Sequence, residues 1–188
     1  MILNDKELYD LCICKGDRLV YPITPESIQP ASIDVRLGDT FLKPKKRPTG
    51  QCNSFDRPIE YDEFEGTYFI RPREFVLATT MEYVSLPNNL SAFVEGRSSI
   101  GRMGLFIQNA GWIDAGFKGN ITLELFNASE TPIELKPFTR VAQLVFCTMS
   151  ESCDNPYNGK YQFQKNAVGS RINLDTEVLN KKEVTNND

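Results

Sequence analysis

Ten residues, Glu95-Gly96-Arg97-Ser98-Ser99-Ile100-Gly101-Arg102-Met103-Gly104, hold three glycines, two hydroxyls and two guanidiniums. Glycine lets a backbone turn sharply and approach a ligand, and serine and arginine supply the donors that phosphate oxygens accept. In composition this is a phosphate cradle; the plainer reading is a tight loop carrying a surface ion pair. A second segment, Gln108 to Gly119, places one carboxylate, Asp114, in a turn bracketed by Gly111 and Gly116. Directly after it runs Asn120-Ile121-Thr122-Leu123-Glu124-Leu125-Phe126. The two-residue period of a strand puts Ile121, Leu123 and Leu125 on one face and Thr122 and Glu124 on the other. An outward strand glutamate is usually only solvated. Lining a polar cleft, the same residue would be aimed as a base at a bound substrate.

The elements that must position these groups follow from the rest of the chain. Asn4 with Glu7 predicts a capping box, Leu3 with Leu8 a hydrophobic staple, and Leu8, Leu11 and Cys12 the apolar face of an N-terminal helix stopping at Gly16. From Tyr21 onward short β-rich runs alternate with proline and glycine: Phe75–Thr80, Ser91–Glu95, Leu105–Gln108, Asn120–Phe126 and Arg140–Cys147. That rhythm predicts an all-β domain, a distorted jelly roll or β-barrel. Residues 43–65, with Lys45, Lys46 and Arg47 beside an acidic cluster, read as a long surface excursion. Residues 1–175 are expected to form one domain, and 176–188 a polar, disordered tail.

Composition narrows the chemistry. The 188 residues contain no histidine, which removes Ser-His and Cys-His nucleophiles, histidine bases and every imidazole-bound zinc site. With 21 basic and 25 acidic residues, the net charge of −4 lacks the field that nucleic-acid binding needs. Five cysteines without C-x-x-C pairs, no leader-like amino terminus and no span-length apolar run predict a soluble chain in a reducing cytoplasm, with no membrane partner.

In order along the chain, Pro30–Gly38, Glu95–Gly104, Ala110–Phe126, Thr139–Phe146 and Lys160–Gln164 with Ser170-Arg171 resemble the motifs of the superfamily of deoxyuridine triphosphatases and deoxycytidine triphosphate deaminases. The resemblance implies a homotrimer with sites between subunits, dCTP as substrate and deamination without zinc; the chain indeed lacks the H-x-E and P-C-x-x-C signature of zinc deaminases. On that resemblance Glu124 is the base that activates water, with Ser98 and Arg102 orienting the water and the pyrimidine edge. Arg102 is expected beside Glu124, favouring its ionised form. Arg97, Ser99, Ile100 and Gly101 match phosphate contacts, and Asp114 the reader of the 3′-hydroxyl. Thr122 and Leu123 match base contacts made partly through the backbone, and Gln143, Tyr157, Lys160 and Gln164 further nucleotide contacts, the last three from a C-terminal lid. Phe163 stands where the family usually has glycine.

Gly111 and Trp112 resemble the bifunctional branch, whose product is dUMP, where branches that stop at dUTP carry bulky basic residues. Gly111 would open room for a second water near the α-phosphate, and Asp114 would help place it. Mg²⁺ carried by the triphosphate would neutralise the leaving pyrophosphate, with no metal held by the protein. Trp112 has a plainer reading as an aromatic plug of the barrel. A deaminase releasing dUTP, a catalytically silent dNTP-binding regulator and a plain dUTPase are the alternatives. The resemblance also implies dTTP as a feedback inhibitor.

Overall fold

The structure, a computed structural model, describes residues 1–14, 18–107 and 111–179. The N-terminal helix α1 (Asp5–Tyr9) starts where the sequence predicts: the Asn4 side chain accepts from the Lys6 and Glu7 amides, and the Glu7 carboxylate accepts from the Asn4 amide. After α1 the helix widens to a π-helical turn over Asp10–Cys14. Leu3, Leu8 and Cys12 are buried as expected, and burial pushes the Cys12 thiol up to about 11. The expected stop at Gly16 lies outside the described residues.

Among the described residues the strands are β1 (Val20–Tyr21), β2 (Ile28–Gln29), β3 (Ser32–Arg36), β4 (Thr40–Pro44), β5 (Tyr61–Glu65), β6 (Tyr68–Ile70), β7 (Phe75–Ser85), β8 (Leu90–Gly96), β9 (Leu105–Ile107), β10 (Trp112–Ile113), β11 (Lys118–Asn127), β12 (Ile133–Leu135) and β13 (Arg140–Thr148). They pair antiparallel in two main sheets, β5-β4-β7-β11-β9 with β1 against β7, and β10-β8-β13-β3-β2; a small sheet joins β12 to β6. The result is a jelly-roll-like stack of open sheets rather than a closed barrel. Its core is the set of alternate residues that both sheets turn inward, including Ile33, Val35, Ala78, Leu123, Leu125, Leu144 and Phe146, each wholly buried. At about 25 cal/mol per Å² of apolar surface removed from water, this layer is the main source of stability.

The five runs anticipated as strands all form, β9 as far as Ile107, with Gln108 outside the described residues. The excursion at 43–65 is narrower than expected, because β4 and β5 pair from Thr40↔Glu65 to Pro44↔Tyr61 and leave only 45–60 as the connection. The edge strand β5 is mostly exposed, so its charged residues hide the alternation that marks a half-buried strand. The chain is also described beyond 175: the Val178 and Leu179 amides donate to the Asp175 carbonyl, and only 180–188 of the expected tail lie outside the described residues. Among the described residues no helix is long and apolar enough to cross a membrane.

Candidate active site

Strand β11 is aimed by an irregularity in its neighbour. Asn120 pairs with Tyr83 and Thr122 with Thr79, so three residues of β7, Thr80–Glu82, bulge opposite Ile121 alone. The bulge is stitched shut by polar groups. The Asn120 amide lies 3.1 Å from the Thr80 carbonyl, 3.4 Å from that of Met81 and 3.1 Å from that of Glu82. The Thr80 hydroxyl accepts from the Ile121 amide at 2.9 Å and donates to the Glu82 carbonyl at 2.8 Å. Beyond it β11 alternates as expected: Ile121, Leu123 and Leu125 are buried, while Thr122 and Glu124 are half-buried on the opposite face. Leu123 points into the core, so any contact it makes with a ligand runs through its backbone.

That opposite face floors a cavity of about 560 Å³ whose polar lining includes Thr122, Glu124, Asp114, Tyr157 and Gln164. Glu124 stands directly across from buried Leu77, and the loss of water around it raises its carboxyl above the ordinary 4.5. Arg102 is not its neighbour within one chain; it lines a different cavity, and among the described residues no cation offsets the desolvation.

Asp114 and Trp112 lie two residues apart and share a side. The Trp112 indole N–H donates to Asp114 Oδ1 at 2.9 Å. With Trp112 60% exposed, the plug reading is corrected: buried Ile113 takes the inward position of β10, and the period of two turns Trp112 out. Gly111 also lines the cavity, its carbonyl accepting from the Val94 amide at 2.8 Å. At Gly116 φ is +86°, and a Cβ would meet Pro156 at 2.5 Å, so this turn has to be glycine.

The C-terminal segment crosses the same face. The Tyr157 amide donates to Ala115 O at 2.8 Å, the Phe163 amide to Lys118 O at 2.7 Å, Gln164 Nε2 to Asn120 O at 2.7 Å and the Val168 amide to Thr122 Oγ1 at 3.2 Å. Phe163 adopts φ +60°, the left-handed conformation that glycine takes without cost. Lys160 sits outside the cavity lining; its ammonium pairs with Asp175 and lies 5.5 Å from the centre of the Tyr161 ring.

The cradle residues gather elsewhere. A cavity of about 570 Å³ is lined by Arg97, Ser98, Ser99, Arg102 and Gln143, together with Asp34. Helix α2 (Ser98–Gly101) turns the chain between β8 and β9, with Ile100 packed on the core and open space beside Gly101. Ser32 Oγ donates to Gln143 Oε1 at 3.3 Å. The cavities holding Glu124 and Arg102 share no lining residue. Sequence reasoning placed no role on Asn120, Thr80 or Asp34. Asp34 carried a signal, an acid set between two aliphatic residues, Ile33 and Val35, in a segment that the structure buries as β3.

A family model described as dCTP deaminase-like matches residues 2–149. The chain belongs to the dCTP deaminase-like family. It is 48% identical over 184 residues to the "dCTP deaminase, dUMP-forming" of Persephonella marina, covering 94% of this chain and 100% of that one. To the protein of the same name from Aquifex aeolicus it is 47% identical over 178 residues, covering 95% and 98%. The crystal structure of 2′-deoxycytidine 5′-triphosphate deaminase from Agrobacterium tumefaciens shares the fold, with a TM-score of 0.61 at 24% identity over 77% of this chain and 48% of that one. The dCTP deaminase-like match contains both the Glu124 strand and the Arg97–Arg102 turn; Tyr157, Lys160 and Gln164 lie beyond its end.

Proposed function

We propose that this chain deaminates dCTP with water and carries the product on to dUMP, releasing ammonia and pyrophosphate. The observation that carries the reading is Glu124: a carboxylate on the polar face of β11, in a cavity of about 560 Å³, its carboxyl raised by burial. In its ionised form Glu124 takes a proton from a water whose oxygen bonds to cytosine C4. The ring C4–N3 double bond opens and Glu124 hands that proton to N3. Glu124 then takes the proton of the new C4 hydroxyl and passes it to the 4-amino group; the C4–N bond breaks, the C4 carbonyl forms, and ammonia leaves. A general base works best with a pKa near the operating pH, so upward displacement by desolvation suits this role.

Asp114 reads the sugar 3′-hydroxyl, and Thr122, Gln164 and the Leu123 backbone hold the pyrimidine. Tyr157 closes the side of the site. In the second step a water attacks the α-phosphorus beside Gly111 and Asp114, and the bond to the bridging oxygen breaks to release pyrophosphate. Among the described residues no three His, Cys, Asp or Glu side chains gather to hold a metal. Mg²⁺ enters as part of the nucleotide substrate, where it neutralises charge on the leaving pyrophosphate.

Ser98, Arg102 and the phosphate-binding groups come from a neighbouring subunit of a homotrimer, which explains why one chain holds the two halves in separate cavities. Residues 1–175 act as one unit of such an assembly, in the cytoplasm, and dTTP acts on the same site as an inhibitor. Lys160 contributes through the lid it anchors, tied to Asp175. The test incubates purified protein with dCTP and Mg²⁺, resolves nucleotides by anion exchange, and assays ammonia and pyrophosphate. Equal ammonia and pyrophosphate with dUMP is expected, and none from Glu124→Gln. Ammonia with accumulating dUTP would instead select the deaminase that stops at dUTP, and no ammonia at all the silent regulator.

A further inference from the structure

Asp34 is 3% exposed on β3, at the base of the Arg97–Arg102 cavity. One of its oxygens, Oδ2, is shared by two guanidiniums: Arg97 Nε at 3.3 Å and Arg140 Nη1 at 3.2 Å. Arg97 Nη1 donates in addition to the Arg140 carbonyl at 3.1 Å, and Arg140 Nη1 to the Glu26 carbonyl at 3.1 Å. Arg97 is thus hydrogen-bonded through Nη1 and ion-paired through Nε, and among the described residues Nη2 has no partner. The Arg97 amide is held as well, donating to Val141 O at 3.0 Å. A guanidinium is planar, so fixing two of its nitrogens fixes the direction of the third.

We infer that Asp34 is a positioning residue for triphosphate binding: it pins Arg97 so that Nη2 faces the cavity, ready to bind a phosphate oxygen. The inference rests on the nucleotide reading above and adds a division of labour within it. Held beside Asp34, Arg97 loses the rotational freedom that binding would otherwise have to remove. Arg140 is the second arm that satisfies Asp34 and stands outside the phosphate contacts.

The test is Asp34→Asn, read against wild type by ammonia release from dCTP and by calorimetry with inorganic tripolyphosphate. KM for dCTP should rise about tenfold, the scale of one charge-assisted hydrogen bond, with kcat changed by less than about threefold and tripolyphosphate binding weakened in step. A folded Asp34→Asn chain with unchanged KM and unchanged tripolyphosphate affinity overturns the proposal, as does a loss confined to kcat. Should Asp34→Asn fail to fold, two variants at more exposed positions decide. Arg97→Lys, which keeps the charge but has one nitrogen already committed to Asp34, should show the tenfold rise. Arg140→Gln, which leaves the Asp34–Arg97 pair in place, should stay within about twofold. The reverse pattern overturns it. If wild type releases no ammonia, the deaminase reading fails on its own, and the tripolyphosphate comparison still decides the role of Asp34.

Discussion

In the proposed role of base, Glu124 carries opposite demands from catalysis and from folding. As a base it must be ionised, and desolvation raises its carboxyl above 4.5. The acid limb of kcat/KM for ammonia release should therefore fall at higher pH than an ordinary glutamate would set, and a limb at or below 4.5 would remove Glu124 from the role. For stability the sign is the reverse. A raised folded-state pKa contributes stability that is present below the unfolded value and lost as pH rises through the folded one. Glu124→Gln should thus be more stable than wild type near neutrality in urea titrations, with the gap closing in acid. Trp112→Phe keeps the ring and removes the N–H that holds Asp114 Oδ1. Its expected effect is a larger share of dUTP among the products at nearly unchanged ammonia release, read by anion exchange. Much at this scale was legible in the sequence: the faces of β11 follow from alternation, and the turn at Asp114 from its glycines. Whether Trp112 plugs or projects was not, because periodicity tells which side a residue takes and not which side is covered. The expectation that Arg102 lies beside Glu124 fails within one chain for a related reason. Motif order along a sequence does not say which motifs meet in space.

At the scale of elements, the bulge of β7 is what aims the site. Thr80, Met81 and Glu82 face Ile121 alone, and the Asn120 side chain caps the carbonyls the ladder leaves over. Asn120→Ala strands those carbonyls, at a cost of about 1–3 kcal/mol in chemical unfolding. It should also lower kcat, because Thr122 and Glu124 follow immediately on the same strand; full activity in a destabilised chain would show that the bulge serves packing only. Asparagine in a strand with β-branched neighbours gave no hint of this use, since its three acceptors come from residues some 38 to 40 positions away. The same limit applied to β4 and β5. Their pairing is set across a long connection, and the charged edge strand shows no apolar alternation to read.

On the scale of the whole molecule, the two cavities argue for shared sites. If each site takes Glu124 from one subunit and Arg102 from another, Glu124→Gln and Arg102→Ala are inactive alone. Trimers assembled from equal amounts of both should regain about one quarter of wild-type activity, the chance that a site receives both intact halves. Mixtures that stay silent after subunit exchange would place the whole site within one chain. The fold class itself was open to view, because strand rhythm and glycine punctuation survive in any sequence that builds stacked sheets. Sheet order was not, because it depends on partners far apart in the chain. That distance has its own consequence. Asp34 and Arg140 meet across β3 and β13 from 106 positions apart. Closing so long a loop costs entropy before any contact repays it, so such pairings form late. During synthesis β3 emerges early and stays unpaired on its β13 edge until nearly four-fifths of the chain, through Thr148, has been made. Over that interval Ile33 and Val35 are exposed apolar strand, and the newborn chain depends on speed of elongation or on a chaperone to keep that edge from finding the wrong partner.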